Sequence, residues 1–548
     1  MRRNRTITFR IVSMLQGIIA AIVGSEIVRK LMRTRAYGIF GNTVCLVMDK
    51  AVIPAWNGAK MVRSAIKRRE IVLWGIVWLL CAGLGVAAIT GTPFIIKAVA
   101  GGMVLLALSI AILRNPLLGL GVFVLFAPLM NIAIRSDIPG LSSDRVIVVV
   151  LLIAFIMQIR KEWKWESLPL LHTCMILFAA VMLIEAFRAD QVRSGLSLVV
   201  SGYVFPIFMY FFARRWVSDE KTLNNVFTWI LISGFYFALL GIPEHFLHHT
   251  IFRPTVWVEK ELGTVRIQGP ATSPTEFGVA VAGAILIAVA RFAIEPLKSK
   301  KFWYAVGIAV SLLAILLTLR RSVYIGLAMS LAVMLACYQP IRRVVAWCLI
   351  LGSLALAIGA NPLMHSKYYN SRIGDKGPLY SREIMQSTAV EVFKAHPISG
   401  VGVNRFKSEI PKYFKSYHKI LVYHAYGLGS PHNQFLRIAA EGGLIALIPF
   451  VGLLALIFSA SIRAYRRTTT RGLSGRDGIV LYWALSAVFL AQSLQGDSFF
   501  FCQYSSAVWF LITGAVFGVH FKKANAAETQ ESATQGIVRR MVALKSEN

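Results

Sequence analysis

The sequence predicts an all-α integral membrane protein with about fourteen transmembrane helices and one large loop outside the membrane. The chain has 548 residues, of which 56% are hydrophobic and only 15% charged. That leaves too little polar surface to cover soluble cores of this size. The apolar residues fall in runs of about 20, the length that crosses a bilayer as a helix. The formal net charge of +32 comes from basic residues clustered between these runs, as in loops that face anionic lipids, and not from a nucleic-acid-binding surface.

Fourteen apolar runs meet the length criterion. They lie near 71–90, 94–113, 116–134, 146–159, 168–187, 194–213, 223–244, 277–295, 302–319, 322–338, 344–360, 436–460, 479–495 and 503–520. The six cysteines are scattered without a paired spacing, so no disulfide framework, zinc site or other metal centre is expected.

The basic residues between the runs orient the chain. If Met1 is cytoplasmic, the short inside connections hold seventeen Lys and Arg, against nine in the short outside connections. Cytoplasmic loops carry the excess of Lys and Arg, so both termini are expected inside. The predicted organisation is a basic cytoplasmic or interfacial segment at 1–70, with a pair of extra spans as its alternative, eleven transmembrane helices at 71–360, the large outer loop at 361–432, the last helices at 433–520 and a cytoplasmic tail at 521–548.

The outer loop combines cationic and aromatic side chains. It contains ten Lys or Arg, four Asp or Glu, and many Tyr and Phe residues. Cationic groups suit phosphate and aromatic faces suit sugar rings, although ordinary solvated surface is the competing interpretation.

The stretch SPHNQFLRIAAEGG, residues 430–443, places polar residues at the start of an apolar run. Ser430 is predicted to be the N-cap and Pro431 the first helical residue, with His432 and Asn433 in the first turn. The positive end of the helix dipole attracts anions and disfavours a charged imidazole, so His432 suits a base beside a phosphate. The alternative is an interfacial helix cap.

Glu441 is not expected to be the partner of His432. Nine residues at about 100° each bring it to the opposite side of the helix. It can instead pair with Arg437, four residues earlier. Glu441 is therefore predicted to be structural, together with the small Gly442 and Gly443.

Several motifs resemble the O-antigen ligase and O-antigen polymerase superfamily. HPISGVGVNRF (396–406), followed by HNQFLRIAAEGGLIAL (432–447), is similar to the family's Gly-x-Gly turn and His-Asn pair. LLTLRRSVYIGL (316–327) is similar to a family span that ends at an arginine, here Arg321, with a glycine five residues later. RIQGPATSPTEFG (266–278) is similar to the family's Arg-x-x-Gly segment that enters the next span, and it begins with Arg266. The resemblance covers about 266–517 and implies a GT-C-like membrane fold with a periplasmic loop.

The resemblance implies a reaction and assigns residues to it. Family members move a glycan from undecaprenyl diphosphate to an acceptor hydroxyl, on lipid A–core or on a glycan, at the periplasmic side of the bacterial inner membrane, without a metal or cofactor. It assigns His432 to deprotonating the acceptor, Arg321 and Arg266 to the diphosphate, and Arg382 and Asn433 to phosphate or glycan contact. For the arginines, snorkelling or loop surface is the alternative.

Three other functions stay open. A polymerase of the same superfamily shares these motifs, and Ala446 stands where the ligase motif usually has Gly, Thr or Tyr. A polysaccharide flippase is a second alternative, and a protein oligosaccharyltransferase is a third. The cluster EHFLHH (244–249) is predicted to be an interfacial surface patch and not a metal site, because no second ligand group stands at a recognisable spacing.

Overall fold

The computed structural model describes most of the chain after residue 104. The described residues are 105–133, 143–162, 168–247, 258–259, 264–338, 342, 346, 377–413, 429–496 and 503–521. The chain divides into two compact units, residues 1–111 and 112–548, and nearly all described residues belong to the second. Outside them lie the predicted segment 1–70, the span 71–90, most of the spans 94–113 and 344–360, the loop residues 361–376 and 414–428, and the tail after residue 521.

Fourteen helices and one short strand pair make up the described part of the chain. The helices are α1 (Leu105–Arg114), α2 (Pro116–Ala133), α3 (Ser143–Glu162), α4 (Pro169–Ala186), α5 (Val192–Trp216), α6 (Glu220–Leu247), α7 (Pro274–Ile294), α8 (Lys298–Leu317), α9 (Arg321–Cys337), α10 (Gly377–Ala395), α11 (Phe406–Glu409), α12 (Gln434–Arg467), α13 (Arg476–Gln495) and α14 (Gln503–Phe521). A 3₁₀ turn, Ile410–Tyr413, extends α11. The strands are β1 (Val258–Glu259) and β2 (Thr264–Val265).

The predicted helical membrane fold is confirmed, with one small exception. Eight helices are long and apolar enough to span a membrane, namely α4–α8 and α12–α14, and four more apolar helices are shorter in the described part. The exception is the β1–β2 hairpin, in which Val258 pairs antiparallel with Val265. The total of fourteen spans stays a prediction, because several of those runs lie outside the described residues.

Helices α7 and α9 pack closely where both begin. A Cβ on Gly278 would lie 2.5 Å from Cγ2 of Val323, so a larger residue would force the two helices apart. At the same end of the bundle, the backbone N–H of Tyr504 at the start of α14 donates to Oε1 of Glu276 in α7, at 3.0 Å. We call this end, where α7, α9, α12 and α14 begin, the loop end.

The opposite end of the bundle is strongly basic. There the guanidinium of Arg291 binds Oδ1 of Asn224 at 2.8 Å, which joins α7 to α6. The helix termini and connections at this end contain Arg214, Arg215, Lys221, Lys298, Lys300, Lys301, Arg463, Arg466, Arg467, Arg471 and Arg476. An excess of this kind predicts the cytoplasmic side of a membrane protein.

Candidate functional site

Helix α12 is broken near its start, and a loop fills the break. Gly443 has φ 61° and ψ −161°, which is not helical. The backbone groups freed by the break bind residues 396–405, which we call the docked loop. The hydrogen bonds run from Val401 N to Ala440 O (3.0 Å), Gly402 N to Glu441 O (2.8 Å), Leu444 N to Pro397 O (2.8 Å) and Ile445 N to Ile398 O (3.1 Å). Thus the four α12 backbone groups that lose their helical partners at the break are each hydrogen-bonded to the docked loop.

Glycine is required on both sides of this junction. A Cβ on Gly443 would lie 2.2 Å from Ile398 O, and a Cβ on Gly400 would lie 2.5 Å from the carbonyl carbon of Glu441. Gly400 and Gly402 have φ of 60° and 101°, so the predicted tight turn is confirmed. The two motifs that the sequence places about thirty residues apart are therefore one backbone junction.

Arg188 ties the docked loop to the end of α4. Its Nη1 donates to Ser399 O at 3.0 Å and its Nη2 donates to Gly400 O at 3.1 Å. The same Nη1 lies 2.7 Å from Oε2 of Glu185. Sequence reasoning missed Arg188, because a single arginine after an apolar run does not reveal a partner more than two hundred residues away.

Asp190 holds the next part of the loop. Its Oδ1 pairs with Nε of Arg405 at 3.0 Å, and its Oδ2 accepts from the hydroxyl of Ser408 at 2.6 Å. The α4–α5 connection thus carries charged groups that fix both ends of the segment 399–408.

A hydrophobic cluster joins α10 to the first turns of α12. Leu436 and Tyr413 pack against its buried core, which consists of Ile384, Met385, Ala389, Val392, Val401, Phe406, Ile410 and Ala440. Arg382 lies two residues before the cluster on α10, and His432 lies four residues before Leu436. The cluster therefore holds the segments that carry these two residues at the loop end.

His432 precedes the helix instead of lying in its first turn. Asn433 is the N-cap, with Oδ1 accepting from the backbone N–H groups of Phe435 (3.0 Å) and Leu436 (3.2 Å), and α12 begins at Gln434. The predicted cap at Ser430 is wrong. The side chain of Asn433 already satisfies the free N–H groups, and asparagine is among the strongest N-cap residues.

This arrangement changes what His432 and Asn433 can do. The His432 side chain is half-buried. Its backbone has φ 50°, a left-handed conformation that histidine adopts more readily than most residues. The backbone N–H of His432 donates to Oγ of Ser430 at 3.1 Å. Because Oδ1 of Asn433 is used by the cap, its amide nitrogen is the group suited to contact a substrate. The helix end is also less open to anions than predicted, since two of its N–H groups are taken.

The prediction for Glu441 is confirmed. Its Oε2 lies 3.4 Å from Nε of Arg437, and their side chains are 1% and 6% exposed. A buried carboxylate paired in this way supports the helix beside the break and is a structural group.

Arg321 and Arg382 lie within electrostatic range of each other. Arg321 is the first residue of α9, and both side chains are half-buried. Burial lowers the pKa of the Arg382 guanidinium, and the positive charge of Arg321 lowers this pKa further. No carboxylate in the described part of the chain forms an ion pair with either arginine. Two like charges that repel each other, and that have no carboxylate partner in the described part of the chain, are suited to an anion.

Arg266 lies in the loop between β2 and α7. It follows β2 and is half-buried, and burial lowers the pKa of its guanidinium. Its loop leads into α7, which packs on α9 next to Arg321 through Gly278. The structure therefore places Arg382 within electrostatic range of Arg321, and the segment of Arg266 beside the helix that Arg321 begins.

Glu244 fixes the loop that follows Arg266. Its Oε2 accepts from the backbone N–H groups of Gln268 and Gly269, each at 2.9 Å, and the residue is fully buried. The predicted surface patch is wrong for Glu244, because this side chain points into the protein. Residues 248 and 249 of the cluster lie outside the described residues.

We expect Glu244→Ala to lower the free energy of unfolding by about 2–4 kcal/mol, since two buried N–H groups would lose their acceptor. Glu244→Gln keeps one acceptor oxygen and should recover most of the loss. Thermal unfolding in detergent measures both variants, with Leu247→Ala, at an exposed position on the same turn of α6, as the control. Equal melting temperatures for Glu244→Ala and Leu247→Ala would contradict this role.

Within the described residues, no three side chains of His, Cys, Asp or Glu come together as a metal-binding group.

Comparison with known proteins gives one match. A family model described as O-antigen ligase matches residues 306–451, a range that contains Arg321, Arg382 and His432 and excludes Arg266. No curated protein matches the chain. The resemblance seen in the sequence motifs is confirmed over this range, which runs from α8 into α12. Residues 306–451 are therefore the region that this multi-pass membrane protein shares with the O-antigen ligase superfamily.

Proposed function

We propose that this protein is a glycosyltransferase that moves a glycan from undecaprenyl diphosphate to an acceptor hydroxyl, in lipopolysaccharide or surface polysaccharide synthesis. The observation that carries the proposal is that Arg321 and Arg382 lie within electrostatic range of each other, without a carboxylate partner among the described residues, at the end of the bundle where α12 begins after His432. The match of residues 306–451 to the O-antigen ligase family supports this class of reaction.

The arginine pair is assigned to the donor diphosphate. Guanidinium groups bind phosphate oxygens in a two-pronged geometry and stay charged when partly buried. A bound diphosphate would relieve the repulsion that now acts between Arg321 and Arg382. As the glycan leaves, negative charge grows on the diphosphate, and fixed cations stabilise it most in the transition state. Arg266, on the loop held by Glu244, is assigned to the same group.

His432 is assigned to the acceptor. The acceptor oxygen attacks the anomeric carbon, the bond from that carbon to the diphosphate oxygen breaks, and the diphosphate leaves with the electron pair. The neutral imidazole takes the proton of the acceptor hydroxyl, so charge and atoms balance. Asn433 contributes its amide N–H groups to the glycan, because its oxygen is used to cap α12.

We assign the loop end to the periplasm and the basic end to the cytoplasm of the bacterial inner membrane, with both termini cytoplasmic. The clustering of Lys and Arg at the end opposite to His432 supports this orientation.

We expect Arg321→Gln and Arg382→Gln each to raise the KM for the lipid-linked donor about 10- to 100-fold, because each removes a charge-assisted contact of about 1.5–3 kcal/mol. Lys394→Gln, which removes an exposed cation from the same helix as Arg382, is the control and should leave the KM unchanged. The measurement is glycan transfer by the purified protein at varied donor concentration. If Lys394→Gln and Arg382→Gln raised the KM equally, Arg382 would contribute only general positive surface charge and not a specific contact with the donor.

The acceptor is tested with the same protein. It is incubated with a lipid-linked glycan together with either lipid A–core or a second lipid-linked glycan. Glycosylated lipid A–core identifies a ligase, and longer lipid-linked chains identify a polymerase. If neither product forms while labelled lipid-linked glycan crosses the bilayer of a proteoliposome, the proposed transfer is wrong and the protein is a flippase.

A further inference from the structure

A cavity opens at the loop end between α2, α3, α5, α7 and α14. It leaves about 60 Å³ of space for the centres of water-sized groups, room for about four to six water molecules at about 10–15 Å³ each. Its walls carry polar groups from Ser201, Thr272, Glu276 and Gln503, and its aromatic side chains include Tyr504. Polar groups inside a membrane-spanning bundle are costly to bury and commonly mark a path or site for a polar ligand.

Ser201 is the group in this wall whose hydrogen bonding is incomplete. The residue is 4% exposed, and its Oγ has no hydrogen-bond partner in the described part of the chain. It lies in the π-helical segment Val200–Val204 of α5, a feature often found at functional sites. Burying a hydroxyl without a hydrogen-bond partner destabilises the protein by about 1–3 kcal/mol. A ligand that hydrogen-bonds to this hydroxyl would therefore gain a contact without breaking one inside the protein.

Glu276 is the acidic side chain that lines the cavity. The residue is 1% exposed, and its Oε2 accepts from the backbone N–H of Thr272 at 2.9 Å and from the hydroxyl of the same residue. Its Oε1 accepts from the N–H of Tyr504 at 3.0 Å. The side chain is thus rigidly held. No lysine or arginine lines the cavity within the described residues, so a phosphate group is disfavoured and an uncharged ligand rich in hydroxyl groups is favoured.

The aromatic side chains of the cavity favour one class of uncharged ligand. Phe123 and Tyr504 stand with their ring centroids 6.0 Å apart, and Phe205 adds a third ring. Aromatic faces beside hydroxyl and amide groups are the combination that binds a sugar, whose ring has an apolar C–H face and a polar rim.

The cavity is lined in part by the loop that carries Arg266. Thr272 and Pro270, two of its lining residues, follow Arg266 by six and four positions on the same loop. We propose that this cavity is a saccharide-binding subsite that holds one sugar ring of a glycan substrate beside the diphosphate-binding arginines. The inference rests on the proposed glycosyl transfer for the identity of the glycan, and on the cavity alone for the binding of a sugar.

Binding is measured apart from catalysis, in the full-length His432→Ala protein in detergent. Three labelled probes are used: an undecaprenyl-diphosphate-linked glycan, lipid A–core, and undecaprenyl phosphate, which carries no sugar. Ser201→Leu is added to fill the cavity and Ser201→Ala to remove the hydroxyl. The control is Ser311→Ala, which removes another buried hydroxyl. This hydroxyl also lacks a hydrogen-bond partner among the described residues, and Ser311 does not line this cavity.

We expect Ser201→Leu to weaken binding at least 10-fold and Ser201→Ala about 5-fold for a sugar-bearing probe, with undecaprenyl phosphate and the Ser311→Ala control unchanged. Loss for the lipid-linked glycan assigns the subsite to the donor, and loss for lipid A–core assigns it to the acceptor. An equal loss for undecaprenyl phosphate, or no loss for any probe with either Ser201 variant, overturns the proposal. If the unmodified protein transfers no glycan, the proposed function fails, whereas these binding results still decide the subsite.

Discussion

His432→Ala should abolish glycan transfer, with kcat lowered about 10²- to 10⁴-fold, the usual contribution of a positioned general base. The half-buried imidazole precedes the first turn of α12 in a left-handed conformation, and the cap made by Asn433 does not involve its side chain. Removing the imidazole should therefore leave the helix start intact. Transfer by the purified protein is measured at saturating donor and acceptor, and expression and thermal unfolding are measured in parallel.

His396→Ala is the matched control for this variant. His396 is an exposed histidine that stands at the end of α10, at the start of the docked loop. Because both of its described hydrogen bonds are made by its backbone, the substitution should preserve kcat. Full activity of His432→Ala would remove the base from the mechanism. A comparable loss for both histidines would point to a shared effect on the loop instead.

Gly443→Ala should prevent the docked loop from closing the break in α12. The new Cβ would stand 2.2 Å from Ile398 O, at a φ of 61° that disfavours any side chain. Backbone strain and overpacking together should lower the free energy of unfolding by about 3–5 kcal/mol. Transfer should also be lost, because the loop and the start of α12 carry the site. Thermal unfolding in detergent and limited proteolysis within 396–405 measure the effect.

Gly472→Ala separates the two causes. Gly472 also has a positive φ, 99°, but a Cβ there meets nothing within 4 Å. It should cost only about 1–2 kcal/mol, the strain of the backbone alone. If Gly443→Ala lowered the free energy of unfolding no more than Gly472→Ala does, the close contact with the docked loop would not contribute to stability.

Prediction from sequence succeeded where the physical signal is local. Apolar runs long enough to cross a bilayer identify helices without knowledge of their neighbours, and the geometry of a helix is enough to pair Arg437 with Glu441. Gly400 and Gly402 indicated a turn for the same reason, since the conformational freedom of glycine is a property of the residue itself.

Prediction failed where local signals compete or where the partner is distant. Both Ser430 and Asn433 can cap a helix, and the side-chain hydrogen bonds that decide between them depend on the path of the chain before α12. Ser273 followed by Pro274 shows that the same dipeptide does cap a helix elsewhere, at α7, where the Ser273 hydroxyl accepts from Glu276 N. Glu244 resembled a surface residue because its partners lie beyond the end of its helix.

By itself the sequence determined the helical membrane architecture of this protein and the residue types of its candidate site, because bilayer thickness and helical periodicity act on contiguous residues. Only the tertiary structure decided that α12 is broken and filled by the docked loop, that Arg188 and Glu244 anchor the two loops of the site, and that Arg321 lies within electrostatic range of Arg382. Each of these depends on atoms far apart in the chain, whose contacts come from the packing of helices and not from any property of one segment.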